Sequence, residues 1–163
     1  MKRTVYIETT VPSFYHEARS EPAMIARRES TRRWWQEEAP HFELSISAFV
    51  IGELSRGDYP GKAEALRLID ALPLLEVVPQ VEEIAGVYID RRLMPQDDLG
   101  DAYHLAIVSY YAVDFLLTWN CRHLANASKN QHLRVVNTEL GLYVPIITTP
   151  DLLFHEEPDD AQE

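Results

Sequence analysis

Val5-Tyr6-Ile7-Glu8-Thr9-Thr10-Val11-Pro12 opens the chain with three consecutive apolar residues that run into a carboxylate and then a turn. An apolar run without polar alternation is the pattern of a short strand covered on both faces, as in a parallel sheet. Phe115-Leu116-Leu117-Thr118 repeats the pattern and runs through Trp119 into Asn120. Phe42 to Ser47 and Leu74 to Val78 read as further strands, and Val135-Val136 as a fifth.

Helical segments separate these runs. Thr9 to Pro12 starts a turn or helix that Thr10 or Ser13 can cap. Ser20-Glu21-Pro22 starts a helix running to about Glu38, before Pro40. Ser47 can cap a helix that carries Glu53 and ends near Gly57. Pro60 to Leu72 and Pro79 to Leu93 are helical, each with proline beyond its end. Asp98-Leu99-Gly100-Asp101 opens a helix whose Ala102, Ala106 and Ser109 permit close packing. A short helix is expected near Asn126 to Gln131. Strands alternating with helices predict a three-layer α/β/α domain around a mainly parallel sheet of four to five strands. In such sheets, sites form outside the carboxyl ends of the strands. Residues 1–154 are expected to form this single domain. Residues 155–163 are expected to be an acidic, mobile tail.

The 163 residues suit one domain with an ordinary core. No apolar stretch is long enough for a membrane span, and the first apolar run is too short for a signal peptide. A cytoplasmic location is the expectation. Cys121 is the single cysteine, which rules out an internal disulfide and a cysteine-rich zinc site. The net charge of −11 argues at first against a nucleic-acid partner. However, residues 151–163 hold six of the acids and no Lys or Arg, so the rest of the chain carries −5. Arg27, Arg28, Arg32 and Arg33 cluster beside Trp34 and Trp35, so local charge leaves an RNA contact open.

Four polar positions fall where apolar elements end: Glu8, Glu53, Asp101 and Asn120. Carboxylates are costly to bury unless paired, and several gathered together usually hold a cation. The segments Val-Tyr-Ile-Glu8-Thr-Thr-Val-Pro-Ser-Phe, Ser-Ala-Phe-Val-Ile-Gly-Glu53-Leu, Gly-Asp101-Ala-Tyr-His-Leu-Ala-Ile and Phe-Leu-Leu-Thr118-Trp-Asn120 occur in that order. Together they resemble the PIN-domain family, which includes the VapC-type ribonuclease toxins. The resemblance runs from Val5 to about Val136.

The resemblance implies a compact α/β/α fold and an acidic cluster that binds Mg²⁺ or Mn²⁺ and cleaves RNA phosphodiesters. It implies Glu8, Glu53 and Asp101 as catalytic and metal-binding acids, and Asn120 in the fourth, usually acidic, slot. Thr118 falls where the family often has a Ser or Thr that helps to place the cluster. Glu8 departs from the more usual Asp, and Asn120 lacks one charge. Three carboxylates and an amide suffice for one hard cation with waters, whereas two ions are harder to hold. The resemblance also implies an RNA substrate, a protein antitoxin as partner, and dimers.

Each residue has a plainer reading as well. Glu8 suits helix N–H groups, and Glu53 could pair with Arg56. Asp98-x-x-Asp101 reads as a capping box, with Asp98 as the cap. Asn120 could cap the next helix, and the arginines could form a solvated helix face. Tyr103 and His104 are expected to line or flank the pocket. One of Trp34 and Trp35 is expected in the core, the other at an interface formed by the helix from Pro22 to Glu38. The rival function is a PIN-fold module that binds RNA or protein with little catalysis. A phosphatase with an Asp nucleophile is disfavoured by Glu8-Thr9-Thr10, and nucleotide-binding glycine loops are absent.

Overall fold

The computed structural model describes residues 1–158. Strand β1 (Thr4–Ile7) is followed by α1 (Thr10–Tyr15) and α2 (Pro22–Arg33). The chain continues from α2 through a π-helical turn at Trp34–Glu38 and a 3-10 turn at Ala39–His41 into β2 (Glu43–Ser45). Helices α3 (Ala48–Leu54), α4 (Lys62–Ile69), α5 (Pro79–Asp90) and α6 (Leu99–Tyr110) precede β3 (Phe115–Leu117). A 3-10 turn (Ala127–Lys129), α7 (Asn130–Glu139) and β4 (Ile146–Thr148) complete the order.

The sheet runs β2-β1-β3-β4, with all three pairings parallel. Val5, Tyr6 and Ile7 are all fully buried. Successive strand residues point to opposite faces, so burial of three in a row requires helices on both sides. From β1 the chain leaves first toward β2 and later returns on the other side as β3. The crevice between the carboxyl ends of β1 and β3 is therefore the switch point at which such sheets place their sites. Glu8 N donates to Leu117 O at 3.0 Å, so Glu8 sits directly at that crevice.

The small residues of α6 do what their size suggests. Ala102, Ala106 and Ser109 are buried, and Ser109 Oγ accepts from Tyr88 of α5 at 2.9 Å. Ser47 caps α3 by accepting from Phe49 N at 3.2 Å, and Asp98 caps α6 by accepting from Gly100 N at 3.1 Å. Thr10 and Ser13 do not cap α1; the Thr10 hydroxyl goes to Glu8 instead.

Two expected strands are corrected. Leu74 to Val78 makes only an isolated bridge to Ile46, beyond β2. Among the described residues that single bridge is what joins the segment to the sheet, so β2 is the last strand on this side. Val135-Val136 lies inside α7, where Leu133, Val136 and Asn137 form the buried stripe. Spacing of three and four residues outweighs the β-branched pair. The remaining strand is β4, an edge strand that keeps Ile146 half exposed and so lacks a strong apolar signature. Among the described residues the sheet thus has four strands.

The helix expected over Pro22 to Glu38 is regular only to Arg33. Trp34 is buried against Phe42, with ring centroids 6.0 Å apart, and Trp35 packs half-buried at the core edge. Both tryptophans therefore contribute to the domain's own packing. The segment expected as a tail begins with a docked residue: His155 N donates to Glu38 at 2.8 Å, and its ring stacks on His41. Residues 159–163 of that segment lie outside the described residues. Among the described residues, no helix is long and apolar enough to cross a membrane.

Candidate metal and catalytic centre

Glu8 follows β1 and is buried. Its Oε2 accepts from Thr10 N at 3.0 Å, from the Thr10 hydroxyl, and from the Thr118 hydroxyl at 2.7 Å. Thr118 Oγ1 in turn accepts from Asn120 N at 2.9 Å, and Thr10 Oγ1 from Trp119 N at 2.8 Å. The two threonines thus tie the ends of β1 and β3 together through one carboxylate oxygen.

Glu53 arrives on α3. Its Oε1 accepts from the Thr9 hydroxyl at 3.1 Å and is bonded to His104 Nε2. This bond takes the place of the alternative pairing with Arg56, although the Arg56 charge still favours the Glu53 anion. His104 is fully buried, and its Nδ1 lies 2.7 Å from the Tyr6 hydroxyl, itself 2.7 Å from Ser47 Oγ. Burial opposes charge on both Glu53 and His104. The mutual hydrogen bond and the neighbouring charges together outweigh it, so Glu53 is held below and His104 above their ordinary values. The hydroxyls of Tyr6 and Ser47 can reverse direction, so the chain is satisfied with His104 neutral or protonated. Burial raises the Tyr6 phenol well beyond its ordinary range, so it stays neutral.

Asp101 lies in the first turn of α6 and is 4% exposed. Its Oδ1 accepts from Asn120 Nδ2 at 3.0 Å, whereas its Oδ2 is buried with no hydrogen-bond partner. Desolvation, then the charges of Asp98 and Glu8, push its acid up to about 7. Asn120 is committed at both ends, because its Oδ1 accepts from His123 N at 3.0 Å. Its oxygen is thus turned to the following loop and its amide to Asp101. Asp98 remains at the helix N-terminus as cap, as expected.

A hydrogen-bonded chain therefore links all four sequence-selected positions: Glu53 through Thr9 to the Glu8 segment, and Glu8 through Thr118 and Asn120 to Asp101. Thr9, Thr10 and the His104–Tyr6 pair are partners that the sequence reading did not assign. The adjacent Thr9-Thr10 after Glu8 was their one visible signal. Among the described residues, no three His, Cys, Asp or Glu are set closely enough to form a ready cation shell. The donor chemistry nevertheless fits a hard cation completed by water. The donors are carboxylate oxygens, and Asp101 presents one that is buried, unpartnered and crowded by like charge.

The four arginines are spread over several tasks. Arg27 lies over the rings of Phe14 and Trp119, at 5.4 and 5.2 Å. Arg28 bonds Glu29 and the Glu17 carbonyl, and Arg32 donates to Tyr15 O at 2.8 Å. Arg33 is exposed. Three of the four are thus engaged within the domain, and Arg27 approaches the centre only through Trp119.

No family model matches this sequence, and no curated protein matches it. Solved structures do. VapC20 of Mycobacterium tuberculosis, described as a sarcin–ricin loop cleaving toxin, superposes with a TM-score of 0.56 at 18% identity. That match covers 73% of this chain and 92% of VapC20. VapBC2 of Rickettsia felis, solved on a DNA fragment of its promoter, matches with a TM-score of 0.51 at 10% identity. It covers 90% of this chain and 98% of that one. Identities this low speak to the fold alone, and the fold is similar to those of these two structures.

Proposed function

We propose that this chain is a Mg²⁺- or Mn²⁺-dependent endoribonuclease of the VapC type, acting in the cytoplasm as the toxin of a toxin–antitoxin pair. The observation that carries the reading is Asp101 Oδ2, a buried carboxylate oxygen without a partner beside the switch point of the sheet. Glu8, Asp101 and Glu53 would hold the cation, with waters completing the shell. When bound, the cation supplies Lewis acidity and lowers the pKa of an attacking water.

The chain's own residues position the acids. Thr10 and Thr118 fix Glu8 by its Oε2. His104 and Thr9 fix Glu53 by its Oε1. Asn120 orients Asp101 by donating to Oδ1, which leaves Oδ2 for the ion. Asn120 is thereby assigned the role of brace in place of direct ligand. RNA enters as a polyanion drawn to the cation, with the arginine-rich segment of α2 at most a peripheral contact. The likeness to the VapBC2 structure supports a protein antitoxin as partner, and a homodimer is part of the same proposal.

The test is cleavage of single-stranded RNA with Mn²⁺ or Mg²⁺. Asp101→Asn or Glu53→Gln should lower the rate roughly 10²-fold or more. Mn²⁺ titration followed by melting temperature gives an independent readout. EDTA-resistant cleavage, or full activity of Asp101→Asn, would refute the proposal. The second reading, an RNA- or protein-binding module with weak catalysis, is favoured by Asn120 being committed to His123 and by the lack of a ready three-acid shell. It predicts RNA or protein binding without metal-dependent turnover.

A further inference from the structure

A cavity of about 420 Å³ adjoins the acidic centre, with Glu53 forming part of its wall. Phe49 of α3 and Tyr103 of α6 line it as a stacked pair, with ring centroids 4.3 Å apart and planes at 23°. Both rings are only half-buried. The polar lining includes the carboxylates of Asp97, Asp98 and Glu53, with the exposed Arg56 as the cation on this wall. Gly100 lies close against Glu53, and a Cβ there would come within 3.1 Å of Glu53 Oε2.

We propose that this cavity is a nucleobase subsite that takes one base of a single-stranded RNA and prefers cytosine to uracil. The inference rests on the ribonuclease reading and deepens it. Half-exposed aromatic faces take unpaired bases by stacking. The carboxylates would repel a phosphate, so the neutral base is the part of a nucleotide suited to the interior. Ionised carboxylates only accept hydrogen bonds. They match the 4-amino group of cytosine and oppose the 4-oxo group of uracil, two pyrimidines of nearly equal shape. Arg56 offers a charge for the phosphate of a neighbouring nucleotide. Because Glu53 belongs to both sites, a base held here brings its chain to the acidic rim.

The experiment measures fluorescence anisotropy of labelled oligo(C), oligo(U) and an abasic strand at low salt, with EDTA present to prevent cleavage. Parallel cleavage assays use the same strands in Mn²⁺. The wild-type chain should bind oligo(C) on the order of tenfold or more tightly than the abasic strand, and more tightly than oligo(U). Phe49→Ala and Tyr103→Ala should lose that advantage, whereas Tyr103→Phe should keep it. Asp97→Asn should narrow the difference between cytosine and uracil. Melting curves verify that each variant is folded.

Equal binding of abasic and cytosine strands, or aromatic variants that bind like wild type, would overturn the subsite while metal-dependent cleavage upheld the ribonuclease reading. Aromatic variants that change the oligomeric state and leave base preference intact would also overturn it, because a second copy would then cover the cavity. A wild-type chain that neither binds nor cleaves RNA would remove both readings.

Discussion

Asn120 holds Asp101 from one side only: its amide donates to Oδ1 at 3.0 Å, while Oδ2 is left buried and bare. The carboxamide can serve in this way because its oxygen is anchored by His123 N. An aspartate at the same position would still accept from His123 N but would have nothing to donate to Asp101. Asn120→Asp should therefore lower cation-free stability near neutral pH by about 1–3 kcal/mol, the cost of an unmet hydrogen bond at a buried charged group. Mn²⁺ should restore it, because a cation offsets the added charge. Thermal melts with and without Mn²⁺ measure the difference. An unchanged cation-free melting temperature would refute the bracing role.

Asp101 carries a pH signature. Its acid is raised from the ordinary 3.8 to about 7, chiefly by desolvation. A carboxyl raised on folding costs nothing below its unfolded value, and the penalty grows as pH climbs toward the folded value. Without cation, Asp101→Asn should stabilise the protein at about pH 8 by roughly 1–4 kcal/mol, and by much less near pH 4. Chemical denaturation at the two pH values checks it. A pH-independent effect would place the strain elsewhere.

The Glu53–His104 pair has the opposite profile. Glu53 is held below its ordinary 4.5, so its contribution is present above that value and lost as pH falls through the folded one. His104 is held above 6.5, so its contribution is present below that value and lost as pH rises through the folded one. The pair is therefore worth most between about pH 4.5 and 6.5. His104→Ala should destabilise by about 3–5 kcal/mol in that window, since it leaves Glu53 partly buried without its partner. The penalty should shrink on the alkaline side. A constant penalty across pH would mean that His104 acts by packing alone.

Thr118 tests the anchoring of Glu8. Removing its hydroxyl takes one of three hydrogen bonds from Oε2 and leaves Asn120 N without its acceptor. Thr118→Val keeps the side-chain shape and should cost about 1–3 kcal/mol. Mn²⁺ affinity should fall while the fold, followed by circular dichroism, is retained. Unaltered affinity would remove Glu8 from the cation's shell.

The strands of the sheet's interior, β1 and β3, were legible because three buried residues in succession leave a plain apolar run. The caps Ser47 and Asp98 were legible because they depend on residues only two positions away. The acids stood out because each borders an apolar run, where an unpaired charge is costly. Local chemistry of this kind is written in neighbouring residues.

What the tertiary structure alone decided depends on residues far apart in the chain. His104 bonds Glu53 across 51 positions, and Thr118 bonds Glu8 across 110. No local pattern distinguishes that histidine from one merely flanking a pocket. Edge strand β4 and the Leu74 segment differ by whether a neighbour pairs with them, which the side chains of either stretch do not encode. Asn120 could have turned its oxygen or its nitrogen toward Asp101. The backbone N–H of His123 claims the oxygen, and that N–H is placed by the loop after β3. The sequence by itself determined which atoms with the chemistry for a cation lie at the ends of apolar elements. Only the fold decided which of them are held by partners and which oxygen is left bare, because partnering is set by where distant backbone and side-chain donors come to rest.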